Sequence, residues 1–414
     1  MDNLYFFIIT IDIICVSFSV FLLRGKLSFF HPFFMYLFFH LFAFTKRLWE
    51  ILIFNSPLLY SDGVGTRVVS LDEIIRAIIW ADVALIIFSF ACRMTYFLKI
   101  KKNNVIFLNK NKVNLVAFTF FVLGLPAFII TRNIDNSSNQ FDQFLIVMSL
   151  WPVLSICLLI YYYGFRWYFL LLILPFIVLL SIQGYHRFMI ILPLLFLLSV
   201  YLYNKKLKWP NIKIIFILVA MLLVFPQLKY IGMAYNNKNF DEVFFRLQQI
   251  VLFENKLEGS SNNFLDQYAG ALTLIDESNR FYYGSTYMSV VTIFVPRVLW
   301  DNKPGLGDHT IALATNDRPY DTEGRVITYL GEAYINFWYM GFFIIPFILG
   351  VLLTRSYIAN ISSGIGSLQF YVFISFNVIL IQVFRDGIAS LVLFGILQNI
   401  VMVCIYLLHK FKWK

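Results

Sequence analysis

Apolar residues fall in blocks of membrane length. The blocks at 114–131 and 334–354 have no charged side chain, and the one at 4–23 has only Asp12. A bilayer core takes roughly 20 helical residues to cross. Inside it every backbone N–H and C=O must bond within its own segment, so repeated blocks of this length force a chain into helices. Further apolar windows lie at 31–54, 73–95, 144–163, 167–182, 188–203, 211–228, 367–383 and 388–408, which makes about eleven. The expected class is an all-α polytopic membrane protein. With 60% hydrophobic and 14% charged residues and a mean hydropathy of +0.76, a soluble domain is excluded.

The net charge of +10 would point to nucleic acid in a soluble chain. Here it fits basic loops on the cytoplasmic side, and no nucleic-acid partner is expected. With the N-terminus outside, sixteen lysines and arginines fall in inner loops. Four, Arg67, Arg132, Arg187 and Arg385, fall in short outer ones. That orientation puts the long segment 229–331 outside. The chain then divides into an N-terminal bundle (1–228), a large outer loop (229–331) and C-terminal helices (332–414). Cys15, Cys92, Cys157 and Cys404 have neither disulfide nor zinc spacing and read as core fillers. Residues 1–23 lack a basic start and a small-residue cleavage site, so they read as the first membrane helix. No repeat of 20 to 50 residues is visible, which weighs against an inverted-repeat transporter.

Charge returns in the outer segment. Between Phe281 and Tyr339 the chain gathers Arg297, Asp301, Lys303, Asp308, His309, Asp317, Arg318, Asp321, Glu323, Arg325 and Glu332. Pro296, Pro304, Gly305 and Gly307 put Arg297 and Lys303 on a turn, where both can face one anion. The apolar run 287–295 is too short to span and reads as a segment at or dipping into the membrane surface. Residues 240–253 read as a surface-lying amphipathic stretch and 264–275 as a second short helix.

Arg187 follows Gln183–His186 at the outer end of a helix hairpin, where an arginine is costly without an anion, a carboxylate or water. Arg385 is a third outer cation, with a local pair to Asp386 as its simpler role. Glu332 stands at the outer mouth of an apolar helix, followed by Tyr334 and Asn336, where a partly desolvated carboxylate can serve as a base. Its plainer role is a helix N-terminal acid. His309 in GLGDHT is the other candidate base, with a solvated turn as its plainer reading. Asp12, Lys46, Arg47, Glu50, Arg76 and Asp82 lie in or near membrane helices. Lys46 and Glu50, four apart, are expected to pair. No metal-ligand spacing and no nucleotide fingerprint is found in the outer region, so no metal or cofactor is expected.

The residues VPRVLWDNKPG, with Pro296, Arg297, Trp300, Lys303 and Pro304, are followed by GEAYINFWYMG, with Gly331, Glu332, Tyr334, Asn336, Phe337 and Gly341. Together they resemble the Wzy-type O-antigen or oligosaccharide repeat-unit polymerases. Trp338 departs from the pattern, since many relatives carry glycine after Asn-Phe. The resemblance implies a metal-independent glycosyltransferase of the bacterial inner membrane, built as a GT-C-like helix bundle with one large periplasmic loop. Its substrates would be glycans on undecaprenyl pyrophosphate, with membrane lipids around it and a chain-length-regulating co-polymerase as possible partner. Arg187 and Arg297 would hold the pyrophosphate, with Lys303, Tyr334, Asn336 and Arg385 also binding substrate. Glu332 would occupy the place where the related O-antigen ligases carry a histidine. The alternatives are such a ligase and a lipid-linked glycan flippase or transporter. Tyr282, Tyr283, Tyr287, Trp300, Tyr320 and Tyr329 are candidates for stacking on sugar faces.

Overall fold

The computed structural model describes residues 2–54, 59–61, 66–100, 105–131, 145, 148–183, 188–216, 239, 241, 244–245, 264–279, 281–292, 295, 300, 327–388, 391, 395 and 397–410. The helices are α1 (Asp2–Leu22), α2 (Pro32–His40), α3 (Lys46–Phe54), α4 (Leu71–Thr95), α5 (Lys110–Ile130), α6 (Trp151–Tyr163), α7 (Trp167–Gln183) and α8 (Phe188–Asn204). They are followed by α9 (Phe264–Ser278), α10 (Ser285–Thr292), α11 (Thr328–Phe337), α12 (Gly341–Asn360), α13 (Leu368–Asp386) and α14 (Leu397–Lys410). The only ladder among the described residues is a pair of three-residue strands, β1 (Leu59–Ser61) and β2 (Thr66–Val68), paired antiparallel with Tyr60 opposite Arg67.

Among the described residues, four segments are long and apolar enough to cross a membrane: α4, α5, the stretch Thr328–Ser363 and α13. Shorter apolar helices lie at Phe6–Leu22, Trp151–Tyr163, Trp167–Leu179, Ile190–Asn204 and Asn399–Leu408. The chain is a helical membrane protein, as its hydropathy requires.

Helix starts are chemically marked. Ser70 opens α4 with a reciprocal cap: Glu73 N–H donates to Ser70 Oγ at 3.3 Å, and Ser70 N–H donates to Glu73 Oε2 at 2.6 Å. Ser367 caps α13 by accepting from Phe370 N–H at 3.2 Å. Pro32 sits in the first turn of α2, where its missing N–H costs nothing.

The most extensive helix crossing among the described elements sets α12 on α4. A Cβ added at Gly350 would lie 2.8 Å from Ala91 Cβ and 2.8 Å from Phe88 O, so only glycine admits this approach. Close backbone approach is how helices gain packing where lipid offers no hydrophobic drive.

Two helices expected to be continuous are broken. The window 31–54 divides at a π-helical turn, Leu41–Thr45, directly after His40. The window 334–354 divides at Trp338, whose φ of 52° and ψ of −145° end α11. A 3₁₀ turn, Trp338–Met340, then leads into α12. Gly341 restarts the helix because it rests against the Ala333 carbonyl, where a Cβ would collide with backbone.

α9, expected over 264–275, forms over Phe264–Ser278. It packs on α4 and α11, and two ion pairs tie it to the helices beneath. Arg47 of α3 donates to Asp266 through Nε at 3.0 Å and Nη2 at 2.7 Å, with both side chains buried. Arg76 of α4 meets Asp276 at 2.6 Å. The expected Lys46–Glu50 pair is present at 2.7 Å.

Candidate functional site

α11 carries the site. Its first residue, Thr328, has φ 63°, and its last turn presents Asn336 to the segment that leads into α10. Tyr282 N–H donates to Ile335 O at 2.9 Å, and Gly284 N–H donates to Asn336 Oδ1 at 3.0 Å. Gly284, at φ 88°, makes the turn, and a Cβ there would stand 3.2 Å from the Phe337 ring. α10 is thereby set against α11, with the Tyr287 and Phe337 rings stacked at 6.0 Å.

Glu332 lies in this junction at 4% exposure, buried rather than at an open mouth. Thr286 Oγ1 donates to Glu332 Oε1 at 3.2 Å. Asn336 Nδ2 donates to Thr286 Oγ1 at 2.6 Å and to the Glu332 carbonyl at 2.8 Å, which orients the threonine hydroxyl toward the carboxylate. The other carboxylate oxygen, Oε2, accepts from Ile388 N–H at 2.7 Å. These donors are neutral. Charged groups left in an apolar surround must be paired, bonded or neutralised.

Ile388 follows the turn that ends α13. Gly387 makes that turn at φ 83°, and a Cβ on it would collide with Glu332 Oε2. Glu332 therefore holds the turn that carries Arg385 and Asp386. Arg385 Nε lies 3.4 Å from Asp386 Oδ1, as the local-pair reading expected, and its guanidinium stands 5.6 Å over the Phe264 ring. Gln382 also donates to Asp386. Sequence reasoning placed Glu332 and Arg385 on separate helices, and the fold joins them through one backbone hydrogen bond.

Tyr334 and Asn336 are both buried, at 0% and 1% exposure. Arg76 Nη2 donates to the Tyr334 hydroxyl at 2.8 Å, which in turn donates to Asp276. Both residues thus bind protein groups in this structure. Tyr329 is buried at 2% and offers no face to a sugar here, while Tyr287 is half-buried, with its hydroxyl covered and its ring stacked on Phe337. Tyr283 and Trp300 are exposed, at 86% and 43%. Arg187, Arg297, Lys303, His309 and Tyr320 lie outside the described residues.

A second polar cluster lies deep in the bundle. His40 Nε2 stands 2.9 Å from Asp12 Oδ1 and 3.3 Å from Asp82 Oδ1, joining α2 to α1 and α4. All three side chains are buried. Asp12 and Asp82 were singled out in the sequence, but His40 was not. Its signal was there: a histidine near the middle of an apolar window, at a depth similar to that of two aspartates in theirs.

No family model matches the chain, and neither a curated protein nor a solved structure is found similar to it.

Proposed function

We propose that this chain is a polymerase that joins lipid-linked oligosaccharide repeat units at the outer face of a bacterial inner membrane, producing O-antigen or capsular polysaccharide. The observation that carries the reading is Glu332, buried, held by neutral donors and clamped to the turn of Arg385. A carboxylate with oriented lone pairs and no ion-pair partner among the described residues is suited to taking a proton from an attacking hydroxyl. Motif support comes from VPRVLWDNKPG and GEAYINF. About eleven spans, with 229–331 as a periplasmic loop, belong to the same reading.

In this mechanism Arg187 and Arg297 grip the pyrophosphate of the donor lipid, with Lys303 and Arg385 nearby. Their hold strengthens as charge develops on the leaving group, and arginine forks suit paired phosphate oxygens. The acceptor is a single repeat unit on the same lipid, undecaprenyl pyrophosphate. Glu332 removes the proton of the acceptor hydroxyl as that oxygen attacks the anomeric carbon. Because the carboxylate is covered, α10 or the Gly387 turn must shift to admit the acceptor.

The test uses purified full-length protein, a defined lipid-linked repeat unit and gel-resolved product ladders. Glu332→Gln should lower turnover by about a hundredfold or more while substrate binding survives. Arg187→Ala and Arg297→Ala should abolish polymer, and lysine at either position should restore little. A near wild-type ladder from Glu332→Gln would remove the base assignment and move attention to His309.

A second reading, a transporter or flippase for the lipid-linked glycan, draws on the Asp12–His40–Asp82 cluster, since paired charges deep in a bundle mark ion paths. A deletion strain separates the two. Core bearing one repeat indicates a lost polymerase, and bare core indicates a lost flippase or ligase.

A further inference from the structure

The Asp12–His40–Asp82 cluster and Glu332 sit on different helices, yet a row of tyrosine hydroxyls runs between them. Tyr36 and His40 are four apart on α2, so they share one face. Tyr329 and Glu332 are three apart on α11 and share a face in the same way. The two helices meet where the rings of Tyr36 and Tyr329 pack edge to face, 5.4 Å between centroids. The Tyr36 ring also packs on Phe88 of α4, the helix that carries Asp82. Tyr287 of α10 adjoins Thr286, whose hydroxyl donates to Glu332. Tyr268 of α9 reaches the row through Phe44, whose ring contacts those of both Tyr268 and His40.

The hydroxyls of Tyr36, Tyr268, Tyr287 and Tyr329 are all buried and complete no hydrogen bond among the described residues. Nor do Asp12 Oδ2, His40 Nδ1 and Thr45 Oγ1. Buried polar groups are nearly always bonded, and an isolated exception costs about 1–3 kcal/mol. Seven such atoms in one region call for a shared partner. Ordered water is the partner that both donates and accepts, and it needs two to four polar neighbours, which this row supplies. Elsewhere in the bundle a buried tyrosine is satisfied directly: Tyr161 donates to Ser367 O at 2.7 Å.

We propose that the row Asp12/His40/Asp82, Tyr36, Tyr329, Tyr287, Glu332 is hydrated and exchanges a proton between Glu332 and the cluster in the bundle. Each step breaks one O–H bond and forms another. A hydroxyl or water accepts a proton on one lone pair and donates its own onward, so no electrons are transferred and no co-reactant is needed. At the deep end the proton rests on a carboxylate or on His40, where three groups share it. Cys15, three positions from Asp12 on α1, and Tyr36, four from His40 on α2, are titratable groups on the faces that carry the cluster. At the outer end, Tyr287 adjoins Thr286, which donates to Glu332, and Arg385 and Asp386 flank the turn that Glu332 holds. The inference rests on Glu332 acting as a proton acceptor. It gives the proton that Glu332 removes a place to go other than back to substrate.

Two measurements on full-length protein in nanodiscs test this without any substrate. X-ray hydroxyl-radical footprinting labels side chains that touch bound water, so Tyr36, Tyr287 and Tyr329 should label several-fold faster than Tyr161. Infrared difference spectra should show a Glu332 carboxyl band, identified by its loss in Glu332→Gln, that shifts in Asp82→Asn. Tyr329→Phe keeps the ring packing and should slow the band's response to a pH jump several-fold, which guards against misfolding of Asp82→Asn. Labelling no faster than Tyr161, or a Glu332 band indifferent to both variants, overturns the proposal. If labelling and coupling appear while the protein makes no glycan ladder, the proton row stands and the polymerase reading falls. A dry, uncoupled row beside a normal ladder gives the reverse.

Discussion

Asp266 of α9 and Glu332 of α11 are both buried acids, and the chain treats them oppositely. Asp266, at 0% exposure, receives a two-pronged grip from Arg47. Glu332, at 4%, is held by a threonine hydroxyl and a backbone N–H. A buried ion pair fixes position and gives up reactivity, because each charge is already spent on the other. A carboxylate held by neutral donors keeps its orientation while its charge stays available. The contrast teaches which of the two is architecture and which is candidate chemistry, although burial alone does not separate them.

The largest expected break of this contrast is Asp266→Ala. Stranding Arg47 in a buried site should cost about 3–5 kcal/mol, read as a lower midpoint of SDS-induced unfolding in mixed micelles. Replacing both partners, Arg47→Met with Asp266→Leu, should recover most of the loss. Gly387→Ala comes next. It forces a left-handed backbone onto alanine and pushes a methyl into Glu332 Oε2, so about 1–3 kcal/mol should be lost. In the proposed polymerase, product formation should fall along with it, because the carboxylate is displaced. Asp276→Asn should cost about 1 kcal/mol, since the Arg76–Asp276 pair is partly exposed, at 27% and 34%. The smallest effect is Lys46→Ala. With Lys46 56% exposed, the loss should stay within about 0.5 kcal/mol, and a loss above about 2 kcal/mol would mean that Glu50 depends on Lys46 for its neutralisation.

What the sequence made legible was local. Apolar windows anticipated the four membrane-length helices among the described residues, four-residue spacing anticipated Lys46–Glu50, and a short helix was expected where α9 forms. The two breaks were hidden because neither follows a proline. His40 opens a π-helical turn inside an unbroken apolar run, and Trp338 adopts a left-handed backbone that a tryptophan does not advertise. The burial of Glu332 was hidden for another reason. Its cover comes from Thr286 and Ile388, 46 and 56 residues away, so a carboxylate that looks like the lip of a helix is roofed by tertiary structure. The tyrosine row was hidden likewise, since Tyr36 and Tyr329 meet only after α2 and α11 are packed.

The two aspartates of α9 lie ten positions apart, about 15 Å along a helix axis, and each is fastened to a different helix below. A rod bolted at both ends can neither roll nor slide, so α9 acts as a fixed lintel above the bundle. In the proposed polymerase, the opening that admits the acceptor must swing beside that lintel, on the α10 side or at the Trp338 elbow. On that proposal a cross-link from α9 to α4 should leave product ladders unchanged, whereas one from α10 to α11 should abolish them.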